Sequence, residues 1–156
     1  MLCVEELNAE NKGAICDISE LESMVFSDAW SLKAIESTVK QQQSICAIAQ
    51  EDGRTLGYYL CYSVLDECEI ARIAVDQKVR RKGIGQSLFS HLLQICREKN
   101  IIRILLDVRE SNLPAISFYE KNGFVRDGIR KDYYRGTHPE NAILMSLDLK
   151  KSVRFN

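Results

Sequence analysis

Between residues 80 and 85 the chain reads Arg80-Arg81-Lys82-Gly83-Ile84-Gly85, three cations followed by two closely spaced glycines. Set between a strand ending at Asp76 and a helix starting near Gly85, such a loop presents unpaired backbone N–H groups at the positive end of a helix. That arrangement binds an anion, and Arg81 and Lys82 strengthen the field. Glycine lets a phosphate approach the backbone where a side chain would block it. Two common nucleotide motifs do not fit. The dinucleotide fingerprint needs a third glycine where Leu88 stands, and a P-loop needs Lys-Ser or Lys-Thr where the chain has Gln86-Ser87. The residues by themselves point to a phosphate-type anion and leave its identity open.

Charge is divided along the chain. Residues 1–76 carry 14 acids and 5 bases, residues 77–156 carry 8 acids and 16 bases, and the whole is nearly neutral at −1. A split of this kind suits one anionic and one cationic partner. Six cysteines occur without a Cys-x-x-Cys pair, and only His91 and His138 could join them. No zinc-type spacing results, so the expectation is a metal-free protein with reduced thiols in the cytoplasm. The N-terminal Glu5, Glu6 and Glu10 do not resemble a signal peptide. Apolar runs are far shorter than the roughly 20 residues of a membrane span. Direct nucleic-acid binding through Lys78, Arg80, Arg81 and Lys82 is disfavoured by the net charge and by the lack of a docking motif.

The elements that must position this loop can be read from periodicity. Residues 2–7, 44–50, 56–64, 67–75, 101–108, 124–134 and 141–149 read as strands, and 11–26, 31–42, 85–98 and 113–122 as helices. Glu51-Asp52-Gly53 signals a hairpin. Leu88, Leu92 and Ile95, flanked by Phe89 and Cys96, mark an amphipathic helix. The stretch 101–108 is apolar enough for a central strand covered on both faces. The β-α-β unit over 67–108 requires a parallel pair with a right-handed crossover inside an otherwise antiparallel sheet. The expectation is one α/β (α+β) domain over 1–149, with about seven strands and about four helices, and a C-terminal tail at 150–156.

Four segments then carry a resemblance. They are Ile73-Ala74-Val75-Asp76, the loop from Arg80 to Gly85, Asn112 with Ala115-Ile116, and Phe118-Tyr119-Glu120-Lys121-Asn122-Gly123-Phe124. In this order and spacing the chain resembles the GNAT superfamily of N-acetyltransferases along essentially its whole length. The resemblance implies the GNAT fold, a mixed, mostly antiparallel sheet with a parallel β-α-β splay, and acetyl-CoA as the anionic ligand. It implies that Ile73, Ala74 and Val75 hold the pantetheine like an added strand. Arg81, Lys82, Gly83, Ile84, Gly85 and Gln86 would cradle the pyrophosphate, and Asn112 would bond the pantetheine arm.

Within the superfamily, Leu65-Asp66-Glu67, the stretch from Leu106 to Asn112 and Ile129-Arg130-Lys131-Asp132-Tyr133-Tyr134 resemble the bacterial ribosomal-protein-alanine N-acetyltransferases. Phe26 and Trp30 resemble the aromatic patch of that group, although Ser27-Asp28-Ala29 is a longer link. The implied acceptor is the N-terminal alanine of a small-subunit ribosomal protein, attacking the thioester directly. Tyr119, seven residues after Asn112, is implied as general acid. Asp107 stands where the group has a glutamate, and Glu69 stands where the histone-acetylating branch has its catalytic glutamate. The two are the candidate bases, acting through water. Phe26, Trp30, Tyr133 and Tyr134 would flank the acceptor, and Glu22, Asp28, Asp66 and Glu67 would attract its basic N-terminus. Alternatives that keep the fold are acetylation of a lysine or small-molecule amine, and a non-catalytic acetyl-CoA-binding module.

Overall fold

Seven strands and four helices follow one another in the expected order. They are β1 (Cys3–Glu6), α1 (Lys12–Val25), α2 (Leu32–Lys40), β2 (Ser44–Glu51), β3 (Arg54–Val64), β4 (Glu67–Val75), α3 (Ile84–Glu98), β5 (Arg103–Arg109), α4 (Leu113–Lys121), β6 (Val125–Tyr134) and β7 (Glu140–Asp148). A 3-10 turn at Gln77–Val79, unmarked by periodicity, joins β4 to the basic loop. The computed structural model describes residues 1–150, so all but Lys150 of the expected tail lies outside the described residues. Local signals explain the boundaries. Asn11, Ser31 and Asn112 cap the first, second and fourth helices by accepting the N–H of Ala14, Ala34 and Ala115. Asp52 and Gly53 both adopt positive φ, as a tight hairpin turn requires.

The strands form one sheet in the order β1-β2-β3-β4-β5-β7-β6, with β4 and β5 its parallel pair. Leu88, Phe89, Leu92 and Cys96 of α3 and Ile116 of α4 cover one face, against Cys61, Cys68, Ile70, Leu106 and Val108. Ile15, Ile18, Ile35 and Val39 of α1 and α2 cover the other, against Cys46, Ile48, Tyr58 and Leu60. Each large side chain so enclosed contributes about 1.5–3 kcal/mol by leaving water. The four cysteines at 46, 61, 68 and 96 are buried as part of these layers, whereas Cys3 and Cys16 are exposed.

β5 departs from expectation. Ile104, Leu106 and Val108 are buried, but Leu105, Asp107 and Arg109 on its other face are only partly covered. Helices α1 and α2 pack over β2, β3 and part of β4, leaving the second face of β5 open. Two irregularities then shape the centre. Leu60 pairs with Arg72 and Cys61 with Ile70, so Ala71 is an extra residue, a β-bulge. The bulge puts Ile70 and Ile73 toward α3 together, and turns Arg72 and Ala74 toward α1. Pairing of β4 with β5 also ends at Ile70 and Leu106, beyond which the strands part. Among the described residues no helix is long and apolar enough to cross a membrane.

Candidate active site

The parting of β4 and β5 opens a cleft of about 470 Å³ lined by both strands, the α1–α2 link, the start of α4 and the end of β6. Of the expected site residues, Phe26, Ile73, Asp107, Asn112, Tyr119 and Tyr134 meet there. Ala74 and Val75 do not line it. Ala74 is buried against α1, and Val75 packs toward α3 while pairing with Gly57 of β3. Asn112 has a second duty, because its Oδ1 caps α4 by accepting the Ala115 N–H at 3.3 Å.

The basic loop borders the same region through Arg80. Arg81 and Gly83 take left-handed conformations, φ 67° and 78°. Such residues in a short turn swing successive N–H groups toward one concavity. Gly83 is the N-cap of α3 and offers no side chain, so the first-turn N–H groups of this 15-residue helix keep their donor capacity. A Cβ on Gly85 would make only ordinary contacts, 3.7 Å from Phe118 at the nearest, so packing alone does not require glycine there. The Gln86 side chain donates to Asn122 Oδ1 at 2.9 Å, tying the first turn of α3 to the end of α4.

The two candidate bases are placed differently. Asp107, half-buried on the open face of β5, lines both the main cleft and a second cleft of about 400 Å³. Glu69 lines only the second. It sits opposite Tyr62 on β3 and is hydrogen-bonded by that hydroxyl. Burial, then the Glu69 bond, push the Tyr62 pKa up to about 12. Tyr119 is buried, and burial raises its pKa, so its hydroxyl stays protonated across the neutral range. Tyr134 is pushed up to about 12, by burial first and Asp107 second. The Tyr133 and Tyr134 rings pack edge to face at 5.1 Å, yet Tyr133 faces the second cleft and Tyr134 the first. No group of three potential metal ligands gathers among the described residues.

Residues 14–124 match the sequence model of the Acetyltransferase (GNAT) family. The chain is 32% identical over 130 residues to the [ribosomal protein bS18]-alanine N-acetyltransferase of Escherichia coli (strain K12), covering 83% of this chain and 87% of the relative. The chain belongs to the acetyltransferase (GNAT) family. Its fold superposes on the crystal structure of the ribosomal-protein-S18-alanine N-acetyltransferase from Escherichia coli with TM-score 0.87 and 29% identity, over 95% of this chain and 94% of that one. A Bacillus anthracis str. Ames chain solved in complex with acetyl coenzyme A superposes with TM-score 0.65 and 30% identity, over 72% and 66% of the two chains.

In this acetyltransferase one central residue escaped the sequence reading. Arg72 places its guanidinium 4.2 Å from the Phe26 ring centroid and 5.3 Å from that of Trp30. The aromatic patch expected to be open to the acceptor is therefore occupied by an arginine, and Trp30 does not line the cleft. Arg72 Nε lies 3.3 Å from Glu22 Oε1 without hydrogen-bond geometry, and Nη2 donates to the Asp28 carbonyl at 2.8 Å. Glu22 is fully buried and accepts from the Tyr58 hydroxyl and the Trp30 N–H, each at 2.7 Å. The sequence does carry a signal for this arrangement. Ile70 and Ile73, three apart in a strand, share a face only if a bulge intervenes, and that bulge turns Arg72 toward α1.

These contacts correct the expected attraction of a basic acceptor. Glu22 is enclosed, Asp28 is shared by Arg72 and Arg109, and Glu67 pairs with Arg103 at 3.5 Å. Asp66, the fourth of these acids, is exposed and lies away from the cleft lining.

Proposed function

We propose that this acetyltransferase acetylates the α-amine of a protein N-terminus, using acetyl-CoA, with the N-terminal alanine of a small-subunit ribosomal protein as acceptor. The observation that carries the reading is the parting of β4 and β5 beyond Ile70 and Leu106, with Asp107 and Tyr119 in the resulting cleft. The likeness to the Escherichia coli alanine N-acetyltransferase supports the choice of acceptor.

The residues present fit the cofactor. Uncapped N–H groups at the start of α3, left-handed Arg81 and Gly83, and the open side of Gly85 suit a pyrophosphate, with Lys82 and Ile84 in the same turn and the Gln86 N–H beside it. Backbone groups of Ile73, Ala74 and Val75, which have lost β5 as a partner, suit an extended amide chain, joined by the Asn112 amide. When bound, acetyl-CoA supplies the acetyl thioester.

The protein's own tasks are to orient the amine, remove its proton and hold a proton for the departing sulfur. A free α-amine has a pKa of about 7.7–8.0, so roughly a tenth is neutral at pH 7, against about one in a thousand or fewer for lysine. A carboxylate acting through one water is sufficient for such an amine. Asp107 is favoured over Glu69 because it reaches the cleft that also holds Tyr119. Tyr119 Oη keeps its proton and can deliver it. Phe26 and Tyr134, which both line the cleft, would flank the acceptor; on this reading residues 1–149 are one catalytic domain working in the cytoplasm. The test is acetyl transfer to the α-amine of an alanine-starting peptide, with an N-blocked lysine peptide as control.

A further inference from the structure

We infer that Arg72 sets the upper size limit on the acceptor's first side chain, an inference that rests on the N-terminal acetyltransferase reading. An amine brought between β4 and Asp107 carries its own side chain toward the wall made by Phe26, Asp28 and Arg72. Without the arginine head group, the faces of Phe26 and Trp30 would border a slot between the α1–α2 link and β4, with the Glu22 and Asp28 carboxylates on its edge. The guanidinium fills that slot.

It is held there from several sides. Glu22 and Asp28 pair with it at 3.3 and 3.4 Å, the Asp28 carbonyl accepts from it at 2.8 Å, and two aromatic rings lie against it. Its side chain is only 12% exposed. The wall cannot easily swing aside either. Asp28 Oδ2 also meets Arg109 of β5 at 3.5 Å, and Arg109 reaches on to Glu140 of β7. The link is thereby tied to strands on both sides of the cleft. What remains suits a methyl-sized first side chain, and a large apolar one would have to displace a paired charge.

The test compares peptides identical except for alanine, leucine or methionine at the first position. The measured quantity is the ratio of kcat/KM for the large-residue peptide to that for the alanine peptide. R72A removes the filling group. R72A with Glu22→Gln also relieves the buried carboxylate, so that a folded protein is obtained even if the single variant fails. Loss of a filling group in a pocket typically changes discrimination by about tenfold or more, so the ratio should rise by about that factor in either variant. Arg72→Met refills the space without charge and should keep the ratio near that of the parent.

An unchanged ratio in the truncated variants overturns the inference, as does a parent that already accepts leucine as well as alanine. A rise in Arg72→Met as large as in R72A also overturns it, because volume would then not be the cause. Failure of the parent to acetylate any peptide α-amine is a different result. It overturns the N-terminal reading itself, and the size limit falls with it.

Discussion

Ile70 and Leu106 are the last residues at which β4 and β5 pair, and both are buried beneath α3 and α4. One residue further, the bulge at Ala71 turns β4 so that Arg72 points to the opposite face from Ile70. The strands therefore separate at a fixed point above a packed core. The cleft that results is floored by the strands and walled on one side by the α1–α2 link, which Arg72 and Arg109 hold in place. Placing a site on rigid elements in this way keeps reacting groups in register.

Tyr119→Phe removes the proton held at the cleft and leaves the ring packed against Phe118 and Phe124. Turnover should fall tenfold or more, and by about a hundredfold if the full contribution of a general acid is lost, while acetyl-CoA affinity changes little. Steady-state kinetics with a separate binding titration checks both. Because burial raises the Tyr119 pKa, its ionisation should add no falling limb to the pH–rate profile below pH 10.

Asp107→Asn should lower kcat by about a hundredfold, read by steady-state kinetics with a saturating alanine peptide. Glu69→Gln should do less, since Glu69 lines only the second cleft and is held by Tyr62. Retention of the parent kcat by both variants would show that neither carboxylate is the base.

Gly83→Val tests the basic loop. Gly83 sits at φ 78°, where a β-branched residue costs about 1–3 kcal/mol. KM for acetyl-CoA should rise, with far less change in KM for the peptide. An equal rise in both would place the loop's role elsewhere.

Glu22 gives a stability prediction. Glu22→Ala leaves the Arg72 guanidinium without its buried partner and frees the Tyr58 hydroxyl and Trp30 N–H, a loss of about 3–5 kcal/mol. Tyr58→Phe removes one bond to the same carboxylate and should cost about 1–3 kcal/mol. Denaturant unfolding measures both.

Tyr58, Tyr59, Tyr62, Tyr119 and Tyr134 all have raised pKa values, with burial the first cause in each. The folded state thus keeps protons that the unfolded chain releases near pH 10. The sign follows: stability should be insensitive to these groups below about pH 10 and fall as pH rises beyond it. A Tm series from pH 8 to pH 11 reads this directly.

Helix and strand order was legible because each element is local: Leu88, Leu92 and Ile95 show their period, and Asn11, Ser31 and Asn112 mark helix starts. The anion loop was legible for the same reason, its cations and glycines lying within six residues. The acceptor wall was not. Arg72 and Glu22 are 50 positions apart and meet through the Ala71 bulge, whose one trace in the sequence is the three-residue spacing of Ile70 and Ile73. For that reason Glu22 and Asp28 looked like surface acids and Phe26 and Trp30 like open aromatics. The mostly apolar sequence of β5 likewise suggested two covered faces, since it does not show that α1 and α2 stop short of it.

The central claim is that the cleft delivers acetyl to a protein α-amine. The most direct measurement is thiol release from acetyl-CoA with two matched basic peptides, followed by mass spectrometry to locate the acetyl group. One peptide begins with a free alanine, and the other has a blocked N-terminus and an internal lysine. Thiol release is expected with the first peptide alone, with the acetyl group on its alanine nitrogen. Acetylated lysine, or no thiol release with either peptide, would contradict it.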